Sequence, residues 1–179
     1  ARALSGDRGL AEEGRRPETD ASSWRPIRLP GRFDQVPELR GFCGAIWLRR
    51  TFDAPRGFGL GGCRIDLGTI ADADRVFING VEVGGTGYRY PPRKYPVPAG
   101  LVKDGRNSIV VRVACNSGDG GVTRGKPMRI ASANRAGAVD APGAAAIDLR
   151  GAWAYEIGTR LRPRPSELFL QWKPTALFN

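Results

Sequence analysis

Arg75-Val76-Phe77-Ile78-Asn79-Gly80-Val81-Glu82-Val83 is the stretch that decides the fold. Two short β-prone runs flank Asn-Gly, and both turn residues accept the positive φ that a tight type I′ connection requires, so the segment reads as a β-hairpin. Outward from it the chain repeats the same design. Ala45-Ile46-Trp47-Leu48-Arg49-Arg50-Thr51-Phe52 reads as a strand, and Cys63-Arg64-Ile65-Asp66-Leu67 alternates apolar and polar residues with the period of two that puts one face on a core. Asp104-Gly105-Arg106-Asn107 reads as a turn into Ser108-Ile109-Val110-Val111-Arg112-Val113, which is rich in β-branched residues. Met128–Ile130, Ala146–Leu149 and Trp153–Ile157 are shorter candidates, and residues 131–145, heavy in Ala and Gly, read as a long loop. Strands spaced by turns, with no helical pattern between them, predict an all-β antiparallel sandwich of the jelly-roll kind. Trp47, Ile65, Phe77, Ile109 and Val111 are expected to point into its core.

The composition agrees with many strands and turns. Among 179 residues there are 25 Gly and 14 Pro, with 41% hydrophobic and 26% charged, which is turn-rich but ordinary for one globular domain. Residues 1–22 are polar and lack β alternation, so they read as a linker or frayed helix with Pro17 as a stop. The β-rich domain is expected from residue 23 to 160, with a second stub over 161–179. The three cysteines, Cys43, Cys63 and Cys115, match no metal or redox spacing and lie in or beside apolar runs, where they read as small buried hydrophobes. No apolar run approaches the ~20 residues of a membrane-spanning helix, so no membrane partner is expected.

Charge and chemistry narrow the function. The net charge is +10, but the basic residues are mostly Arg, scattered along the chain, with no nucleic-acid-binding motif beside them. A solvated Arg-rich surface is therefore expected rather than a nucleic-acid footprint, although individual arginines suit a small acidic sugar or carboxylate. The chain contains no histidine, which removes every Ser-His-Asp or Cys-His arrangement and the commonest general base. No GxSxG elbow is present either, so no catalytic residue, metal ligand or cofactor is assigned. Asp72 and Asp74, on either side of Ala73, could act as a carboxylate pair but read more simply as turn residues bonding their own backbone. Asn116–Gly121 resembles no phosphate loop and reads as a connection. Tyr88-Arg89-Tyr90-Pro91-Pro92-Arg93-Lys94-Tyr95 is the candidate ligand segment, with Tyr88, Arg89, Tyr90, Arg93 and Tyr95 as its site residues. Aromatic faces stack on sugar rings and guanidinium forks bind hydroxyl or carboxylate oxygens, yet the same residues would also plug the end of a sandwich.

The order of these segments resembles a known family. Gly44-Ala45-Ile46-Trp47-Leu48-Arg49-Arg50, Leu67-Gly68-Thr69-Ile70-Ala71-Asp72-Ala73-Asp74, Val76-Phe77-Ile78-Asn79-Gly80, Arg93-Lys94-Tyr95-Pro96-Val97-Pro98 and Gly105–Val113 together look like the galactose-binding-like jelly roll of family two glycoside hydrolases. They resemble more closely the copy inserted in bacterial sialate O-acetylesterases, and Pro174–Asn179 is similar to the point where those enzymes re-enter their SGNH hydrolase domain. The resemblance implies a non-catalytic domain whose nucleophile and histidine lie in other segments, with the parent esterase domain as partner in cis. It further implies acetylated or sialylated glycans as substrate class and a periplasmic or extracellular location. A purely structural insert with no ligand, or the sugar-binding domain of a family two glycosidase, remain the other readings.

Overall fold

The computed structural model describes residues 19–116, 118–133 and 144–161. The two terminal stubs expected from the sequence therefore lie almost wholly outside the described residues, as does most of the 131–145 loop. The described chain forms β1 (Arg25–Leu29), β2 (Gly31–Arg32), β3 (Gly44–Ala54), β4 (Cys63–Leu67), β5 (Ile70–Ala71), β6 (Ala73–Ile78) and β7 (Val81–Thr86). It continues with β8 (Lys94–Val97), β9 (Gly105–Cys115), β10 (Gly121–Val122), β11 (Met128–Ser132), β12 (Ala146–Asp148) and β13 (Gly151–Arg160). Single 3-10 turns at Phe33–Gln35 and Pro37–Leu39 lead from β2 towards β3.

A six-stranded sheet in the order β1-β13-β3-β9-β6-β7 faces a four-stranded sheet in the order β12-β11-β4-β8, and a three-stranded ribbon, β2-β10-β5, joins them. Every pairing is antiparallel. The protein is thus an all-β antiparallel sandwich. The Asn79-Gly80 hairpin forms as its sequence dictates: Ile78 pairs with Val81 across the turn, and φ is +47° at Asn79 and +83° at Gly80. The Asn79 side chain goes further, donating from Nδ2 to the Leu101 carbonyl and to Asn107 Oδ1 at 2.9 and 2.8 Å and accepting from the Ser108 N–H at 2.9 Å. These bonds fix the hairpin to the start of β9.

Between the large sheets lies one core. Ile46 and Leu48 of β3, Val76 and Ile78 of β6, and Ile109, Val111 and Val113 of β9 meet Ile65 and Leu67 of β4, Tyr95 and Val97 of β8, and Ile130 of β11. Trp47 and Phe77 are buried as expected, but not there. They form a separate cluster with Val110, flanked by Trp24, on the opposite face of the six-stranded sheet, their rings stacked with centroids 6.1 Å apart. The correction has a physical cause. Ala45–Leu48, Val76–Ile78 and Ile109–Val111 are unbroken apolar runs, which mark strands buried on both faces and carry no phase to say which face is which.

Candidate functional site

Three crossings between the large sheets, β4 through β5 to β6, β7 to β8, and β9 through β10 to β11, join the same ends of their strands. The site is built where they meet. The sequence brings the backbones unusually close here. A side-chain carbon at Gly121 would stand 2.7 Å from the Gly31 carbonyl oxygen, so only glycine lets β10 sit against β2. Likewise a carbon at Gly84 would come within 2.4 Å of the Tyr95 ring, so glycine there leaves room for that ring against β7.

Two arginines of the β7–β8 crossing clasp this end together, by different means. Arg93 is 0% exposed. Its Nε donates to Asp74 Oδ1 at 2.5 Å, and its Nη groups donate to the carbonyls of Ile70, Asp72, Tyr88, Arg89 and Pro91 at 2.7–3.0 Å. Tyr95 completes the buried cluster, donating from its hydroxyl to Asp74 Oδ2 at 2.5 Å and lying 2.8 Å from Thr86 Oγ1. Burial pushes the Asp74 carboxyl above its ordinary range, against the opposing pull of the Tyr95 hydroxyl and the Arg93 guanidinium. Burial and the facing Asp74 carboxylate raise the Tyr95 phenol. Arg89 is the outer clasp, its side chain 32% exposed. It donates from Nε to Asp72 Oδ1 at 2.9 Å and takes Asp119 in a two-pronged grip at 2.6 and 2.9 Å. Both carboxylates raise the Arg89 guanidinium above its ordinary value.

Above the ribbon these crossings leave a cleft of about 450 Å³, within the size range of small-ligand sites. Ile70, Ala71, Gly121 and Val122 line it with apolar surface, and Arg32, Gln35, Arg89, Asp119 and Arg124 supply polar groups. Inside it Thr69 and Thr123 share a 2.6 Å hydroxyl–hydroxyl bond. Arg124 donates to Gln35 Oε1 at 3.0 Å and Arg32 to Asp34 at 2.9 Å. An apolar floor with paired donors and acceptors at its rim suits a hydroxyl-rich ring.

The five residues expected to meet a ligand divide. Tyr88 and Tyr90, on either side of Arg89, are 63% and 80% exposed, and Arg89 itself lines the cleft. Arg93 and Tyr95 are buried and committed to Asp74 and backbone carbonyls, so in this arrangement they hold the segment instead of touching a ligand. Asp72 and Asp74 make long-range bonds to Arg89, Arg93 and the Asn116 N–H, which the reading as turn residues did not foresee. Asp119, ahead of β10, is held by Arg89. Arg32, Gln35, Thr69, Thr123 and Arg124 escaped the sequence reading because they come from three distant segments, and two-residue strands have no periodicity to read. The Gly120-Gly121 pair ahead of Val122 was the one local signal of close backbone approach. Among the described residues no group of three or more Cys, Asp or Glu could hold a metal ion.

No protein-family profile matches the chain, and no curated protein matches it. Several solved glycosidases are similar to it in structure. The β-glucuronidase of an uncultured Clostridium sp. shares 22% identity over 49% of this chain and 16% of that one, with a TM-score of 0.45. The Streptomyces avermitilis α-L-rhamnosidase complexed with L-rhamnose shares 18% over 74% and 12%, with a TM-score of 0.46. Bacteroides uniformis β-glucuronidase 2 shares 17% over 79% and 15%, with a TM-score of 0.47. The chain spans less than a fifth of the length of these three enzymes.

Proposed function

We propose that this chain is the non-catalytic, carbohydrate-binding β-sandwich of a larger carbohydrate-active hydrolase, holding glycan at the end where the three crossings meet. The observation that carries the reading is the coincidence there of the cleft over the β2-β10-β5 ribbon with the exposed Tyr88 and Tyr90 beside Arg89. Exposed rings offer stacking faces, and the Arg89 and Asp119 pair offers both a donor fork and a carboxylate acceptor to sugar hydroxyls. The absence of histidine leaves any serine here without its usual base, so hydrolysis is assigned to another domain of the parent.

The order of motifs favours a sialate O-acetylesterase-like parent, exported to the periplasm or outside the cell, with this domain packed in cis and shaping access for acetylated or sialylated glycans. A family two glycosidase parent would change the hydrolase and leave the cleft as it is. The inward commitment of Arg93 and Tyr95 favours one second reading, a structural insert with no ligand of its own. Titrating sialyllactose and lactose into isotope-labelled protein decides between them. Amide shifts at Arg89, Gly121, Thr123 and Arg124 with millimolar affinity, worth about 4 kcal/mol, are expected. Unmoved spectra at several times that concentration would leave the structural insert.

A further inference from the structure

The outer face of the β12-β11-β4-β8 sheet is organised separately from the cleft. Its side chains are set by register: Asp148 pairs with Arg129, Arg129 with Asp66 and Asp66 with Lys94, so a row of alternating charge runs across all four strands. Asp66, its side chain 5% exposed, is the anchor of this row. It accepts from Arg64 at 2.8 and 3.1 Å and from Arg129 at 3.1 Å, which holds two guanidinium forks in fixed orientation. Asp148 is taken by Arg150, whose hydrogen bonds keep its carboxyl down at about 2. The row is internally balanced, but the face as a whole is not. Besides the buried Arg93, which Asp74 neutralises, Arg64, Arg150 and Lys126 add three positive charges with no further carboxylate among the lining residues. Among the described residues neither Lys94 nor Lys126 forms an ion pair, and both are exposed.

The surface is also shaped. Three hollows of about 300, 160 and 280 Å³ lie along it. The first two share Lys126 and Arg129, and the second and third share Arg64 and Lys94, so they form one trough. Four strands about 4.8 Å apart make the sheet about 14 Å across, room for several sugar rings. We infer that this trough is a second carbohydrate surface, for a linear polysaccharide carrying carboxylates. Two other occupants fit less well. Stable protein interfaces deplete charge at their centre and bury aromatic or aliphatic anchors, yet none of the exposed large hydrophobic residues lines this trough. Single-stranded nucleic acid needs stacking faces, and no exposed ring lines it either. The exposed ammonium groups of Lys94 and Lys126, set in a surface of net positive charge, are what a string of carboxylates requires. The inference shares only its class of ligand with the cleft, so an empty cleft would leave it standing.

The test compares polygalacturonate, dextran and duplex DNA as immobilised probes for the full chain at low salt. Polygalacturonate is expected to bind, weaken with added salt and outcompete dextran. Replacing Lys94→Glu and Lys126→Glu together turns two exposed attractions into repulsions and should weaken it about tenfold. Arg56→Glu with Lys103→Glu, the same change in net charge at exposed positions outside the trough, should have little effect. Equal loss in both double variants would reduce the effect to overall charge and overturn the assignment. So would absence of polygalacturonate binding, equal binding of dextran, or tighter binding of DNA through the same two lysines.

Discussion

A guanidinium without solvent contact must hand its five N–H donors to the protein, and Arg93 does so while keeping its charge beside Asp74. Its carbonyl partners belong to the β5–β6 corner and to the β7–β8 crossing, so a single side chain fixes the distance between them. Arg93→Met would strand the Asp74 carboxyl and the carbonyls, and a loss of about 3–5 kcal/mol is expected from urea unfolding. Arg93→Lys keeps the charge but not the planar fork and should recover only part of it. A variant within 1 kcal/mol of the parent, on the order of an exposed ion pair, would refute the role. Asp74 adds a pH signature. Burial lifts its folded-state value above the ordinary 3.8, so the folded chain holds this proton more tightly than the unfolded one. The slope of stability with pH from this group is therefore negative: its contribution is greatest in acid and declines as pH climbs from 3.8 through the raised value. The stability of the parent relative to Asp74→Asn should accordingly fall as pH rises from 3.8 through the raised value. A difference that grows with pH would show that the bonds from Arg93 and Tyr95 outweigh burial.

At the scale of elements, the strands with clear punctuation were legible and those without it were not. β4 and β6 lie where alternation and the Asn-Gly turn put them, and β9 contains the β-branched run but starts at Gly105, because residues read as a turn, Gly105–Asn107, pair with Phe52–Ala54 of β3. β8 was not legible because it begins at Lys94, at the end of the Tyr88–Tyr95 segment whose prolines and arginines suggested a turn-rich loop, while its register to β4 is set by Tyr95 and Val97 pointing into the core. The hairpin is the sharpest case. Local sequence specified the turn, but the three bonds from the Asn79 side chain to Leu101, Asn107 and Ser108 depend on residues more than twenty positions away. Asn79→Gly retains the positive φ and deletes those bonds, so a cost of about 1–2 kcal/mol is expected. Thermal unfolding of that variant measures it, and an unchanged midpoint would mean the turn alone matters. In the central strand, Val111 is 2% exposed between the sheets, and Val111→Asp would bury an unpaired charge. Loss of the cooperative transition is the expected outcome.

On the scale of the whole molecule, the sandwich is one core with one end specialised by polar bonds. Its apolar layers follow from patterns that each strand carries alone, which is why fold class was readable from sequence. The cleft was not, since Arg32 of β2, Arg89 of the β7–β8 crossing, and Asp119 and Arg124 on either side of β10 become neighbours only in the fold. Arg89 tests whether that end behaves as a unit distinct from the core. It bridges Asp72 beside β5 and Asp119 ahead of β10, at the cleft wall and away from the main hydrophobic cluster. Arg89→Met would leave Asp72 and Asp119 facing one another as like charges, while the apolar packing of both sheets stays as it was. Stability to urea should fall by only about 1–2 kcal/mol, because Asp119 can turn towards water while Asp72 keeps its bond from the Asn116 N–H. Hydrogen exchange should respond more strongly. Amides of the β2-β10-β5 ribbon and of the connection around Asn116 should exchange faster by local opening, while those of Ile65, Val76 and Val111 keep close to their global protection. Uniform acceleration across the sandwich would show that the end and the core unfold together, and unchanged exchange in the ribbon would show that its backbone bonds suffice without the clasp.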